Sequence, residues 1–383
     1  NPLLFEFQPD SLVNSTYPSA LNYYRQAHSV INNSDGLLFS CNGINIYDRN
    51  GDLMENGEGI TPSKVFENTT NSLIQQTIIL PKKESQFYVF AWGVSDNLWD
   101  SIKNGQSVGR WDILTYSIVD LKENNGKGKV ISKINYLLEH DTLSASQMSA
   151  IRHANGRDWW LIKPHAYKHR FYTYLVTPEG IIQQPIQEFD TPSFVNGING
   201  QCNFSSDGSL FVMTAEANPQ LTQVNYFDRC TGKMSKYKTI PWVFDTATNQ
   251  WMVVGTACFS PNNQYLYLIN NISIIQYDLL TDERIEILDG LYNPCNNLTS
   301  YNAPDGRIYI GNFHGVCNAI SYIEFPNVKG KAAHYCPLCY QTKNNNTKSP
   351  PNMPNYELGA LKGSPCDTIK PPYIPVTEIK IYP

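Results

Sequence analysis

A short hairpin pattern recurs along this chain, and it limits the fold more than any other feature. The pattern is a short strand, a turn of Asp-Gly, Asn-Gly or Asn-Asn, and then an alternating or aromatic strand. Asx-Gly between apolar runs is the strongest short signal for a β-hairpin, because the central residues of its turn need positive φ. Four segments share the pattern: INNSDGLLFS (31–40), CNFSSDGSLFVM (202–213), CFSPNNQYLYLI (258–269) and NAPDGRIYIG (302–311). A fifth, RHANGRDWWLI (152–162), fits it more loosely.

A second hairpin follows most of these segments and completes a longer repeat. Together the two hairpins make a unit of about 45–55 residues, which is the length of a four-stranded propeller blade. The second hairpins are INIYDRNGDLM (44–54), FYTYLVTPEGII (171–182), VNYFDRCTGKM (224–234) and IIQYDLLTDER (274–284).

The repeat predicts an all-β fold, a β-propeller of four-stranded blades that spans residues 1–364. About six units are visible, and the chain termini would complete a seventh, so we expect seven blades, with six as the alternative. A single blade cannot bury both of its faces, whereas a ring of blades buries them and leaves only short edges. A pair of β-sandwiches is the competing architecture. Helical periodicity is almost absent, apart from the short segment SALNYYRQAH (19–28).

The composition narrows the classes of partner. Only 16% of the 383 residues are charged, the formal net charge is −5, and there are 24 tyrosines. No basic stripe is present, so the sequence predicts no nucleic-acid partner. No apolar run approaches the ~18 residues that a membrane-spanning helix needs, so it predicts no transmembrane segment.

The nine cysteines favour an oxidising compartment with disulfides. The alternative is a metal site at His334, Cys336 and Cys339, with Cys317 or Cys366 as the fourth ligand. A single C-x-x-C without a second matching pair is a weak zinc signal, so we predict neither a metal site nor a cofactor. The turn DRNGD (48–52) has the composition of a calcium loop but lacks the correctly spaced distal glutamate, which leaves a weak surface calcium site as the alternative to a plain turn.

The segment WGVSDNLWDSIKNGQSVGRW (92–111) is the candidate contact region. It interrupts a blade, and long propeller loops project from one face and concentrate function. Aromatic side chains beside carboxylates suit contact with a glycan or a protein. The alternative is that the tryptophans fold back and anchor the loop. The candidate contact residues are Trp92, Asp96, Trp99, Asp100, Arg110 and Trp111.

No motif in the chain indicates a catalytic site. His153 and Asp158 lie around one hairpin turn and could form an acid–base pair. We favour a bracing role for them, because the polar groups of a buried hairpin end need hydrogen-bond partners. The chain has no G-x-S-x-G elbow, no H-E-x-x-H and no P-loop. The sequence therefore predicts no catalytic residues and a protein that is not an enzyme.

The order of several segments resembles a known family. The segments include DGLLFSCNGINIYDRNGDLMENG (35–57), SLIQQTIILPKKESQFYVF (72–90) and NYELGALKGSPCDT (355–368). The chain resembles the propeller-like domain of large secreted and surface proteins of Bacteroidetes, which are associated with gliding motility or with type IX secretion. After a Pro-rich linker (365–375), VTEIKIYP (376–383) resembles the opening strand of the C-terminal sorting domain of such substrates. The residues that carry this sorting signal are Ile379, Ile381, Tyr382 and Pro383.

The resemblance implies a secreted or cell-surface, non-enzymatic propeller that serves adhesion or contacts with proteins and glycans. It implies export through the periplasm, with the secretion and outer-membrane machinery as partners of the tail. The alternatives are a propeller enzyme that acts on extracellular polysaccharide and an accessory subunit of an outer-membrane complex. Short Asp-Ser/Thr-apolar triplets mark O-glycosylation candidates at Ser11, Thr142, Thr246 and Thr368.

Overall fold

The protein is built from antiparallel sheets joined in sequence. The computed structural model describes residues 3–8, 11–16, 29–33, 36–61, 75–104, 111–190, 200–214, 221–241, 244–245, 250–251, 255–270, 273–289, 297–312, 317–346 and 352–369. Within these ranges there are 28 strands, one α-helix and two short 3-10 helices. The all-β prediction is confirmed.

The first half of the chain carries a hairpin and three blades. The hairpin consists of β1 (Leu3–Gln8) and β2 (Ser11–Thr16). Blade I has β3 (Ser29–Asn33), β4 (Gly36–Cys41) and β5 (Ile46–Asp48). Blade II has β6 (Thr77–Lys83), β7 (Gln86–Gly93), β8 (Ile113–Asp120) and β9 (Lys129–Leu138). Blade III has β10 (Ser149–Arg152), β11 (Trp159–Pro164), β12 (Arg170–Val176), β13 (Ile181–Gln183) and β14 (Gln187–Glu188).

The second half carries three further blades and a second hairpin. Blade IV has β15 (Cys202–Phe204), β16 (Leu210–Thr214), β17 (Leu221–Phe227) and β18 (Met234–Pro241). The hairpin consists of β19 (Phe244–Asp245) and β20 (Gln250–Trp251). Blade V has β21 (Thr256–Phe259), β22 (Tyr265–Ile269), β23 (Ser273–Asp278) and β24 (Arg284–Asp289). Blade VI has β25 (Asn297–Asn302), β26 (Ile308–Asn312), β27 (Cys317–Ile323) and β28 (Tyr335–Asn346).

Each predicted hairpin falls on one of these blades. The first hairpin of each repeat joins the first two strands of blades I, III, IV, V and VI. Their turns use the left-handed region as expected, with φ of +75° at Gly208 and +61° at Asn263. The described strands form six blades, which is the alternative number, and the β1–β2 hairpin lies beside β28.

The position of each strand in a blade explains its composition. The first strands β10, β15, β21 and β25 lie next to one another around the axis. They are rich in Ser, Thr, Ala, Cys and Asn, whose small side chains suit the place where the strands converge. The second strands are covered on both faces, so WWLIKP (159–164) and YLYLI (265–269) are buried throughout.

Alternation of strand direction gives the propeller two distinct faces. The turns between first and second strands lie on one face, which we call the strap face. The connections between second and third strands lie on the other face. The α-helix α1 (Asp96–Lys103) belongs to that other face because it connects β7 to β8, and we call it the helix face. The 3-10 helices are Asn124–Gly126 and Gly330–Ala333.

Residues 352–369 return to the strap face, and we call them the strap. The strap begins between the first strands of blades II and III. The Asn352 amide Nδ2 donates to the carbonyl oxygens of Thr77, at 2.9 Å, and of Met148, at 3.0 Å. The strap therefore joins blades II and III at the seam between them, through a residue more than 200 positions further along the sequence. No helix within the described residues is long and apolar enough to cross a membrane.

Candidate functional site

A concave site lies on the strap face, and we call it the strap pocket. Its volume is about 340 Å³, which is within the ~300–1,000 Å³ range of small-molecule sites. The first strands of blades III to VI form its floor and the strap forms one wall. The lining residues are Ser149–Ile151, Asn203–Ser206, Cys258, Pro261, Tyr301–Pro304, Gly306, Tyr309, Met353–Asn355 and Glu357.

Amides and hydroxyls around the strap pocket are held in place by the blades. The Asn203 Nδ2 donates to the carbonyl oxygen of Ala257 at 2.8 Å, and the Asn302 Nδ2 donates to that of Phe259 at 3.0 Å. Each bond joins one blade to the next. The Ser205 hydroxyl donates to Asp207 at 2.8 Å and accepts from the Leu210 N–H at 2.9 Å. A ligand would thus meet polar groups with fixed positions.

The strap pocket carries very little charge. None of its lining residues is Lys, Arg or His, and Glu357 is its single carboxylate. Burial raises the pKa of the Cys258 thiol to about 12, so this thiol stays protonated near neutral pH and is a poor nucleophile. Burial also raises the pKa of Tyr309, whose hydroxyl donates to Asp305 at 2.8 Å. Glu357 is exposed and lies at the mouth of the strap pocket.

Tyr356 fixes the strap next to Glu357. Its ring is buried and packs edge-on against Trp159, with centroids 5.6 Å apart. Its hydroxyl donates to the carbonyl oxygen of Ile79 in blade II. Its own carbonyl oxygen accepts from Arg152 of blade III at 2.7 Å. Tyr356 is therefore anchored to both blades at the seam.

The rest of the strap is tied to blades III and IV. The Leu361 N–H donates to the carbonyl oxygen of Ala154 at 2.8 Å. Arg229 donates to the carbonyl oxygen of Gly359 at 2.5 Å. A disulfide joins Cys366 to Cys230. The first described residues of the predicted linker are thus bonded to the propeller.

The predicted contact segment lies on the helix face, away from the strap pocket. Trp92 is fully buried and meets Trp111 edge-on at 5.5 Å. Trp99 packs with Trp111 in a small apolar cluster under α1. The tryptophans thus anchor this connection, which was the alternative interpretation. Asp96 and Asp100 are exposed on α1, and Arg110 lies outside the described residues.

Local sequence explains α1, which the hairpin repeat does not predict. Ser95 caps the helix, because its hydroxyl accepts from the Leu98 N–H at 3.2 Å. The buried Asp112 holds Ser95 through the Ser95 N–H at 2.6 Å and hydroxyl at 2.5 Å. Ser-Asp followed by apolar residues at helical spacing was the available signal.

His153 and Asp158 brace their turn as expected. The His153 Nδ1 accepts from the Asn155 N–H at 3.0 Å, and its Nε2 lies 3.0 Å from the carbonyl oxygen of Cys230. Asp158 accepts from the Asn155 amide at 2.7 Å and pairs with Arg157. Both side chains therefore make their hydrogen bonds and ion pairs in and beside the hairpin turn.

The other predicted sites are placed as follows. Cys336 and Cys339 form a disulfide, and the described residues contain no group of three or more His, Cys, Asp or Glu placed to hold a metal. Thr142 is half-buried and Thr368 is exposed. The side chains of Ser11 and Thr246 and the whole sorting signal, 376–383, lie outside the described residues.

Comparison with known proteins gives structural neighbours only. No protein-family model matches the chain, and no curated protein matches it. Periplasmic gluconolactonase of Pseudomonas aeruginosa is 9% identical, with a TM-score of 0.40, over 84% of this chain and 97% of its own. A Bacteroides fragilis protein with the provisional name 6-phosphogluconolactonase is 10% identical, with a TM-score of 0.38, over 86% and 98%. The extracellular domain of a B. thetaiotaomicron two-component system protein is 11% identical, with a TM-score of 0.46, over 86% of this chain and 36% of its own.

These comparisons correct the functional prediction. Two of these three neighbours are named as lactonases. By this comparison the prediction of a non-enzymatic adhesive propeller is wrong, and so is the prediction that the chain is not an enzyme. The physical reason for the error is that propeller active sites gather residues from several blades, so the absence of a contiguous motif is weak support for the absence of catalysis. The identity is too low for the likeness to assign an activity.

Proposed function

We propose that the strap pocket is the active site of a hydrolase that acts on a small, uncharged ester. The observation that carries this proposal is a mainly apolar cavity of about 340 Å³ with a single carboxylate, Glu357, at its mouth. Ester hydrolysis needs a base that takes a proton from water as the water attacks the carbonyl carbon. Glu357 supplies that base, and the fixed amides and hydroxyls of the floor orient the substrate.

Because the lining of the strap pocket holds one carboxylate and no cation, it should favour uncharged substrates over anionic ones. A phosphate or carboxylate on the ligand would lie in an apolar cavity beside Glu357 with no lining cation to pair with it, which is costly. An uncharged ring with hydroxyl groups would meet the amide and hydroxyl groups of Asn203, Asn302 and Ser206 instead. A neutral sugar lactone is therefore the substrate class to test first, and a phosphorylated sugar lactone should be a poor substrate.

The test is lactone hydrolysis by the purified chain, followed by proton release. We expect turnover of a neutral aldonolactone that falls about 100-fold or more in Glu357→Gln. Glu179→Gln is the matched control, because Glu179 is an exposed carboxylate on a turn of the strap face and does not line the pocket. Equal activity of Glu357→Gln and wild type, or a preference for the phosphorylated lactone, would contradict the proposal.

We also propose that the protein works outside the cytoplasm. The disulfides Cys230–Cys366 and Cys336–Cys339 support this location, because such bonds persist in oxidising compartments. Export by type IX secretion through 376–383 is part of the same proposal. Its test is Ile379→Asp with Ile381→Asp in a secreting bacterium. Loss of the protein from the medium is the expected result, and unchanged export would reject the sorting role.

A further inference from the structure

One of the two disulfides within the described residues closes an unusually small ring. Cys336 and Cys339 are separated by only two residues, Pro337 and Leu338, in β28. The entropic benefit of a disulfide grows with the loop that it closes. Cys230–Cys366 spans a sequence separation of 136, against 3 for this ring. The small ring therefore contributes far less to holding the fold.

The backbone of the ring is strained. Leu338 has a φ of +52°, in the left-handed region that disfavours bulky residues. The ring also bulges out of the sheet. Tyr322 pairs with Cys336 and Ile320 pairs with Tyr340, so one residue of β27 faces three of β28. Opening the ring would let Leu338 leave this conformation.

A thiolate can reach the disulfide from solvent, and opening the ring need not disrupt the sheet of blade VI. Strand β28 is the outermost strand of its blade, Cys339 is exposed and Cys336 is half-buried. The β27–β28 pairing continues on both sides of the ring, at Ile323 with Tyr335 and at Ala319 with Gln341. Breaking the disulfide would thus change a local loop and leave the sheet intact.

From these features we propose that Cys336–Cys339 is a thiol–disulfide exchange site that oxidises a dithiol. A thiolate of the dithiol attacks the exposed sulfur of Cys339, and Cys336 leaves as a thiolate that takes up a proton. The second thiol of the same molecule then attacks its own sulfur in the mixed disulfide and releases Cys339. The dithiol becomes a disulfide, and two electrons and two protons reach the protein.

Redox titration of the full chain tests the proposal, with Cys230–Cys366 as the internal reference. The protein is equilibrated at graded ratios of reduced to oxidised dithiothreitol, and the free thiols are alkylated and identified by mass spectrometry. We expect half-reduction of Cys336–Cys339 at a ratio at least about tenfold lower than that for Cys230–Cys366. Equal or reversed midpoints would overturn the proposal.

Relief of the backbone strain gives a second, independent readout. Leu338→Gly and Leu338→Asn place residues that tolerate positive φ in the ring. Both variants should need a higher ratio of reduced dithiothreitol for half-reduction of Cys336–Cys339, while the midpoint of Cys230–Cys366 stays unchanged. An unchanged Cys336–Cys339 midpoint in both folded variants would show that the ring is not a strained exchange site.

Discussion

The two faces of the propeller differ in what their aromatic and charged residues do. On the helix face, Trp92, Trp99 and Trp111 are used to anchor a connection, so the residues that look most like a binding surface in the sequence are structural. On the strap face, a segment with few conspicuous residues brings Glu357 to a cavity. The comparison teaches that the clustered tryptophans of this chain anchor a connection, whereas the cavity forms where the chain returns to the blades.

Among the changes that test this difference between the faces, removal of the Tyr356 side chain should have the largest effect on stability and ligand binding. Tyr356→Ala deletes a buried aromatic ring that bridges blades II and III, which should lower the free energy of unfolding by about 3–5 kcal/mol. Ligand binding in the strap pocket should fall as well. Urea unfolding and calorimetric titration measure both quantities. Tyr226→Ala is the control, because Tyr226 is 48% exposed, and its loss should leave both nearly unchanged.

Release of the strap tether should have the next largest effect. The double change Cys230→Ser and Cys366→Ser removes a cross-link of long span and should cost about 2–4 kcal/mol of stability. It should also raise the KM for the lactone more than it lowers kcat, because the strap forms a wall of the pocket. Cys336→Ser with Cys339→Ser is the matched control. A larger stability loss in the control would reverse our ranking of the two disulfides.

A change on the helix face should affect stability alone. Trp99 lies on α1 and is half-buried, so Trp99→Ala should cost about 1–2 kcal/mol. The kinetic constants for lactone hydrolysis should stay at the wild-type values. A marked fall in kcat/KM in the folded variant would break the comparison, because it would place catalysis on the helix face.

Part of the pH dependence of stability between pH 6.5 and 4 should arise on the helix face. Burial lowers the pKa of His165 to about 4, against about 6.5 in the unfolded chain. Between these values the unfolded state binds the proton and the folded state does not, so stability falls as the pH drops from 6.5 toward 4. His165→Asn keeps an acceptor for the N–H groups of Tyr167 and Lys168. Denaturant midpoints of this variant should fall less steeply over that range, and an unchanged slope would count against the assignment.

Local signals predicted the blades well and the site poorly. The turn at 205–208 was readable because Asp207-Gly208 sets the hairpin by itself. The first hairpin of blade II was missed by the repeat, because its turn uses Glu84 at a φ of +46° and has no Asx-Gly pair. The strap could not be predicted, because the contact of Asn352 with Thr77 joins residues 275 apart. No local pattern encodes such a pairing.

Hydrogen–deuterium exchange with a non-hydrolysable ligand tests the central claim most directly. A neutral aldonolactam resembles the proposed substrate but resists hydrolysis, so exchange can be compared with and without a bound ligand. If the ligand binds in the strap pocket, amide exchange should slow at 353–357, 203–206 and 301–306. Exchange in α1 should not change. Slower exchange in α1 with no change at 353–357, or no effect of the ligand anywhere, would contradict the assignment of function to the strap face.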